Sequence, residues 1–244
     1  MKSSADVLAE EYGATTIDRQ DWAGIAAQLD ADGYALLPGL LDRNAARGLA
    51  RLAGTLREAG YEQPPDNPPG RGEWLYFGSR LPAPWTAWRE AFYRCLAVVA
   101  NRRNERLGIE NRYPDELDAF LRRNREAGQR RPQSHLSRLG VDDYVLLHQR
   151  AEGGQVFPMQ LAALLSEPGE DFEGGEFVMT EQRPRMQSRP IVAPLRLGDV
   201  AVVATAGWPR EGARGAYRVS FRHAVSRVRR GERIGMEVFF HDAP

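Results

Sequence analysis

The second half of the chain consists of short apolar runs separated by turn-forming residues. The runs occupy residues 156–165, 176–180, 200–204, 217–221 and 236–240, and glycine, proline and aspartate interrupt the sequence between them. Strands of this length, separated by turn signals, are typical of antiparallel sheets that close on each other. The pattern therefore predicts a β-sandwich or barrel in this half.

Helical patterns dominate the first half of the chain. Apolar residues recur at helical spacing after Asp21, which is a candidate N-cap, and again over residues 42–59, 85–99 and 117–121. Between the first two patterns, residues 34–37 read as a short strand. Helices followed by strands indicate an α+β fold with the helices packed on one face of the sheet sandwich.

The chain shows no internal repeat and no linker that would separate independent domains. Residues 1–20 are polar and irregular, and we predict a flexible arm there. We predict one domain over residues 21–244, with a mainly helical buttress at 21–130 and a β-sandwich core at 131–244. Residues 61–73 and 180–190 are candidate lid segments, and the sequence leaves that role open.

Composition excludes several classes of function. The 33 basic and 33 acidic residues balance, which argues against a nucleic-acid partner and against a membrane surface. Cys95 is the only cysteine, so an internal disulfide is excluded. No apolar run approaches the length of a membrane span, and we expect a cytoplasmic protein. An exposed strand edge leaves an oligomer open.

Two histidines lie near the ends of the strand-rich half. His148 follows an apolar strand pattern, and His223 lies within another. Each one alone is typical of a hydrogen-bonded core residue. Together with a nearby carboxylate, they would form the two-histidine, one-carboxylate set that holds non-haem Fe(II).

The order of these residues and of the turns between them is more specific than either histidine alone. The series runs His148, Gly174-Gly175, Gly198-Asp199, His223 and Arg233, with the Gly-Gly turn inside the string FEGGEF at residues 172–177. This series resembles the Fe(II)/2-oxoglutarate dioxygenases of the prolyl-hydroxylase type. The resemblance covers residues 130–244 well and the helical half more loosely.

That resemblance implies a fold, two cofactors and a reaction. The fold would be a double-stranded β-helix (jelly-roll, cupin-like) core with N-terminal helices packed on one sheet. His148 and His223 would bind Fe(II), and Arg233 would bind the distal carboxylate of 2-oxoglutarate, with Tyr144 as a second contact to that co-substrate. The reaction would be hydroxylation of a small molecule or a protein side chain.

One position departs from the family pattern. Where the family has its metal-binding carboxylate, two residues after the first histidine, this chain has Arg150, whose guanidinium has no lone pair to offer a metal. Glu152 could replace the carboxylate, although an extended strand would separate it from His148 by about 13 Å. The metal could instead be held by the two histidines with water or an external anion.

A third alternative is that Arg150 disables the metal site. The protein would then be a pseudoenzyme that binds a small dicarboxylate or a protein partner without oxidising it. The sequence leaves these alternatives open. His135 and His241 match no partner pattern, and we expect them to be surface or capping residues.

Overall fold

The structure is a computed structural model that describes residues 14–58, 70–78, 81, 85–205, 207–213 and 215–244. Its helices lie almost entirely in the first half of the chain. They are α1 (Ala14–Asp18), α2 (Trp22–Asp32), α3 (Arg43–Glu58), α4 (Trp85–Arg106) and α5 (Leu117–Glu126).

The strands lie mainly in the second half and are numbered in chain order. They are β1 (Tyr34–Leu37), β2 (Gly70–Arg71), β3 (Glu73–Tyr76), β4 (His135–Leu139), β5 (Tyr144–His148), β6 (Met159–Leu164), β7 (Phe172–Gly174), β8 (Phe177–Gln182), β9 (Arg189–Ala193), β10 (Val200–Ala204), β11 (Gly207–Gly212), β12 (Gly215–Val225), β13 (Val228–Gly231) and β14 (Arg233–Phe239).

Two antiparallel sheets form the core. The first, sheet A, has the order β1-β10-β6-β14-β4-β3, and the second, sheet B, has the order β2-β5-β12-β8-β9 with β11 paired to β12. The short pair β7–β13 lies apart from both. Side chains of β6 and β14 in sheet A contact His223 of β12 in sheet B, so the inner faces of the two sheets meet at this point. This arrangement confirms the predicted fold class.

The first half of the chain contributes strands as well as helices. In sheet A, β1 pairs with β10 and β3 pairs with β4, while in sheet B β2 pairs with β5. The predicted helical buttress is therefore part of both sheets. Sequence periodicity identified the β1 strand but could not assign its partner, because that pairing joins residues about 165 positions apart.

The start of the helical half follows the sequence pattern closely. Asp21 accepts a hydrogen bond from the Gly24 amide at 3.0 Å and caps α2, as predicted. Gly33 ends the helix in the left-handed conformation at φ 80° and leads directly into β1. In the predicted arm, by contrast, α1 packs on α4 and its Ile17 is fully buried. Residues 1–13 of that arm lie outside the described residues.

Strand β5 contains a bulge that determines which of its side chains face the interior. His148 lies opposite His223, and Val145 lies opposite Val225, so three steps along β5 match two along β12. The extra residue in β5 lets both Val145 and His148 face inward although they are an odd number of positions apart. Tyr144 consequently faces outward and is 37% exposed.

Candidate metal centre

The inner faces of the two sheets bring together two histidines and one carboxylate. One donor atom from each of His148, His223 and Glu237 lies within 4.8 Å of the other two. His148 and His223 come from neighbouring strands of sheet B, and Glu237 comes from β14 in sheet A. Within the described part of the chain, this is the one group of three or more such residues that is close enough to share a metal ion.

The His148 ring is oriented by its own strand. Its Nδ1 lies 2.8 Å from the Leu146 carbonyl oxygen, which assigns the proton to Nδ1 and leaves the Nε2 lone pair free. Burial and the neighbouring His223 lower the His148 pKa to about 4. His148 is therefore neutral at pH 7, which is the form that can bind a metal.

His223 is held between the two sheets. Its ring lies 4.3 Å from the His148 ring, centroid to centroid, and stacks on Phe177 at 5.6 Å. Its Nε2 faces Glu237 Oε2 at 3.5 Å and Gln160 Nε2 at 3.3 Å. Its Nδ1 is buried and has no hydrogen-bond partner among the described residues.

Glu237 is a buried carboxylate that accepts a hydrogen bond from Gln160 Nε2 at 2.7 Å. Burial alone would raise the Glu237 pKa, but the hydrogen bond and charge of His223, with smaller effects of His135 and His148, outweigh burial and hold the pKa well below its usual range. The carboxylate is thus ionised at neutral pH. A buried anion beside two imidazoles is a donor set that suits Fe(II).

Arg233 lies on the same strand and the same face as Glu237, four residues earlier. Its side chain is buried, and its Nε donates to the Gly175 carbonyl oxygen at 2.8 Å. A Cβ on Gly235 would lie 2.7 Å from Arg233 Nη1, so the guanidinium lies over a position where a side chain would clash. Burial lowers the Arg233 pKa to about 10, which still leaves the guanidinium charged at neutral pH.

The charge of Arg233 is only partly compensated, through a longer-range interaction with Glu237 on the same strand. Among the described residues, no carboxylate lies within ion-pair distance of its guanidinium. The residues that line a cleft of about 300 Å³ include the cations Arg233 and Arg229, the carboxylates Glu173 and Glu176, and Phe177, which stacks on His223. A buried cation without an anionic partner is costly, so this position favours an anionic ligand.

Arg150 extends from the end of β5 towards the edge of sheet A. Its Nη2 lies 3.5 Å from the Tyr76 hydroxyl, and its Nε is buried without a hydrogen-bond partner. Its backbone oxygen accepts from His241 Nε2 at 3.1 Å. The charge of Arg150 contributes to the lowered His148 pKa, after burial and His223, so Arg150 lies near the candidate metal centre.

The other two residues predicted for the site lie elsewhere. Glu152 is exposed in the segment after β5 and is not part of the donor group. Tyr144 faces outward because of the β5 bulge, on the opposite face from His148. The structure therefore brings His148 and His223 together, as the sequence analysis expected, and places neither Glu152 nor Tyr144 beside them.

Two residues of sheet A that lie beside the histidines were not predicted as site residues from the sequence. Glu237 and Gln160 lie within runs that were read as apolar strands, and a single carboxylate inside the last apolar run was the signal that could have identified Glu237. His135 and His241 were expected to be surface or capping residues, and the surface alternative was wrong. They are 2% and 1% exposed because β4 and the segment after β14 fold against the site.

Comparison with protein families identifies the chain. Residues 72–243 match the family described as "Oxygenase, catalysing oxidative methylation of damaged DNA". The chain belongs to this oxygenase family. The match includes every strand from β3 onward and all of the donor residues described above.

The chain is also similar to sequence relatives and, in its fold, to solved structures. An uncharacterised protein found in two strains of Mycobacterium tuberculosis is 39% identical over 155 residues, which cover 64% of this chain and 66%, just under two thirds, of the relative. A Pseudomonas putida prolyl-4-hydroxylase has 14% identity and a TM-score of 0.53, covering 91% of this chain and 100% of that one. A Trichoplax adhaerens prolyl hydroxylase, solved with a hypoxia-inducible-factor peptide, has 12% identity and a TM-score of 0.54, covering 93% and 91%.

The oxygenase family and these folds confirm the predicted superfamily, that of the Fe(II)/2-oxoglutarate oxygenases with a double-stranded β-helix core. Fe(II) and 2-oxoglutarate are the cofactors of this superfamily, as predicted. The donor chemistry of this chain fits them: two imidazoles and a buried carboxylate suit Fe(II), and the buried Arg233, which forms no ion pair in the described residues, suits a dicarboxylate. None of the helices in the described part of the chain is both long and apolar enough to cross a bilayer.

Proposed function

We propose that this protein is an Fe(II)- and 2-oxoglutarate-dependent oxygenase that hydroxylates a C–H bond of its substrate. The observation that carries the proposal is the cluster of His148, His223 and a buried carboxylate within 4.8 Å between the two sheets of an oxygenase fold. In the overall reaction, 2-oxoglutarate and O₂ would be converted to succinate and CO₂, and one oxygen atom would enter the substrate. When bound, Fe(II) would supply the redox chemistry of this reaction.

The residues of the chain would prepare the site for these reactants. The Leu146 carbonyl fixes the His148 tautomer, so Nε2 presents a lone pair without a proton having to leave. Phe177 covers one face of His223 and excludes water from that side. Arg233 would bind the distal carboxylate of 2-oxoglutarate through its guanidinium, which already lies over Gly235 and lacks an acidic partner in the described residues.

An anaerobic titration with Fe(II) and 2-oxoglutarate tests this proposal. We expect the weak visible metal-to-ligand band of the chelate in the wild type and its loss in His223→Ala, because that change removes one ligand. Succinate in place of 2-oxoglutarate is the control, since it lacks the keto group needed for chelation and should give no band.

A wild type that gives no band but binds 2-oxoglutarate tightly without metal would contradict the oxygenase proposal. That result would favour the second function, a catalytically disabled member of the family that binds a small dicarboxylate or a protein partner. The observation behind this alternative is Arg150, which stands where the prolyl-hydroxylase-type motif has its metal-binding carboxylate.

The substrate can be addressed in a separate aerobic assay that measures succinate release. The description of the family names damaged DNA, whereas solved structures with this fold include prolyl hydroxylases. We propose a small-molecule or protein side-chain substrate for this chain, because its 33 basic and 33 acidic residues give no general attraction to a polyanion. An alkylated single-stranded oligonucleotide that stimulates succinate release more than prolyl peptides do would overturn this choice.

A further inference from the structure

We propose that Glu237 of β14 is the carboxylate ligand of the iron, so that the carboxylate comes from the opposite sheet rather than from the strand of His148. The inference rests on the proposed function and goes beyond it, because the motif that this chain resembles has its carboxylate at the position of Arg150. The metal centre would then join the two sheets through His148, His223 and Glu237.

The pairing of β14 with its two neighbouring strands places Glu237 in the interior of sheet A. On β14 it lies opposite Ala162 of β6 and opposite His135 of β4, in the middle of sheet A. From there its Oε2 reaches to 3.5 Å from His223 Nε2. Ligand atoms that each lie about 2.0–2.2 Å from one ion are about 3–4.4 Å from each other. The donor atoms here lie within 4.8 Å of one another, so small side-chain movements would let them bind one ion.

The surroundings of Glu237 are those of a metal ligand. Gln160 Nε2 donates to Oε2 at 2.7 Å and orients the carboxylate, as outer hydrogen-bond partners commonly do at metal sites. Within the described residues, the only salt bridge of Glu237 is the one with His223; no arginine or lysine lies within ion-pair distance, and Arg233 interacts with its charge only at longer range. A buried anion that has no ion pair with an arginine or lysine would be stabilised further by a divalent cation.

The two competing positions, in the segment that follows the His148 strand, are unsuitable. Arg150 cannot donate a lone pair, and its guanidinium is directed to the Tyr76 hydroxyl. Glu152 is exposed and lies outside the donor group. With the carboxylate on β14, the site keeps the single negative charge of the usual two-histidine, one-carboxylate set despite Arg150 in the segment after β5.

Metal affinity measured without 2-oxoglutarate tests the assignment directly. Anaerobic calorimetric titrations with Fe(II), and optical titrations with Co(II), would compare wild type with Glu237→Gln and Glu152→Gln. Loss of outer-shell partners already weakens metal binding by about 10- to 100-fold, so loss of a ligand should weaken it by about 100-fold or more. We therefore expect this loss in Glu237→Gln and an affinity within about twofold of wild type in Glu152→Gln.

The Co(II) spectrum provides a readout that a purely structural role for Glu237 would not change. If Glu237→Gln still binds Co(II), the visible absorption band of the bound Co(II) should change in shape, because one oxygen ligand is missing. Circular dichroism of the metal-free proteins checks the fold. If Glu237→Gln does not fold, Glu237→Asp keeps the charge on a side chain one carbon shorter and should weaken binding by about 10-fold.

The outcomes separate this inference from the proposed function. Wild-type affinity and spectrum in both Glu237 variants, with binding lost in His223→Ala, would overturn the Glu237 assignment and leave the oxygenase proposal intact. The same result with binding lost in Glu152→Gln would restore Glu152 as the ligand. No metal binding by the wild type would overturn both the assignment and the proposed function.

Discussion

Arg233→Met is expected to weaken 2-oxoglutarate binding by about 30- to 4,000-fold while changing the free energy of unfolding of the ligand-free protein by no more than about 1 kcal/mol. Removing one partner of a buried charge pair costs about 2–5 kcal/mol, which gives this range of affinity. The ligand-free protein loses little, because the buried guanidinium forms no ion pair among the described residues, interacts with Glu237 only at longer range and donates its Nε to one backbone oxygen.

Calorimetric titration of 2-oxoglutarate into the metal-loaded protein and urea unfolding of the metal-free protein would measure the two effects separately. Arg230→Gln is the matched control, because Arg230 is an exposed arginine of the same basic segment that pairs with Glu173. Its affinity for 2-oxoglutarate should equal that of the wild type. Unchanged 2-oxoglutarate affinity in Arg233→Met would show that the co-substrate binds elsewhere.

Glu181→Gln is expected to lower the free energy of unfolding by about 3–5 kcal/mol, because it leaves a buried arginine without its carboxylate. Glu181 lies on β8, is fully buried, and accepts hydrogen bonds from Arg210 Nε at 3.1 Å and Arg183 Nε at 2.9 Å. Arg210 is itself buried, with its guanidinium over the Phe221 ring at 5.4 Å. The matched control is Glu173→Gln, whose exposed pair with Arg230 should contribute at most about 1 kcal/mol.

The lowered pKa of Glu181 predicts that the free energy of unfolding depends on pH. Burial alone would raise the Glu181 pKa, but the hydrogen bonds and charges of Arg210 and Arg183 outweigh it and hold the pKa below the ordinary value. A lowered folded-state pKa stabilises the protein above the pKa of the unfolded state, and this stabilisation is lost as the pH falls towards the folded value. Urea unfolding between pH 7 and pH 3 should therefore show a shallower acid loss in Glu181→Gln than in wild type; equal slopes would contradict the assignment.

Glu181, Arg210 and Arg183 form a cluster that is linked to the metal centre through strand β12. Glu181 lies opposite Phe221, and His223 follows two residues later on the same strand. The cluster therefore packs the part of sheet B from which His223 extends, although it contributes no metal ligand. Glu181→Gln should therefore lower the free energy of unfolding without changing the metal affinity. The Glu237 variants should instead change the metal affinity.

The sequence by itself determined the order of the strand-rich half, the two histidines and Arg233. These features are local: apolar runs, glycine turns and single residues at fixed separations. The Gly174-Gly175 turn is one such feature and is visible without coordinates. The structure adds why Gly175 suits it: its φ is positive at 63°, and a Cβ there would lie 2.9 Å from Arg233 Cδ.

Only the tertiary structure decided which carboxylate joins the histidines and which way the residues of β5 face. Glu237 reaches His223 across the space between two sheets, and no regular spacing in the sequence encodes a contact between opposite sheets. The β5 bulge reverses the alternation that placed Tyr144 on the His148 face, because one extra residue moves a side chain to the other side of the sheet. Strand pairing and bulges depend on distant partners, and for that reason the sequence alone left the third ligand open.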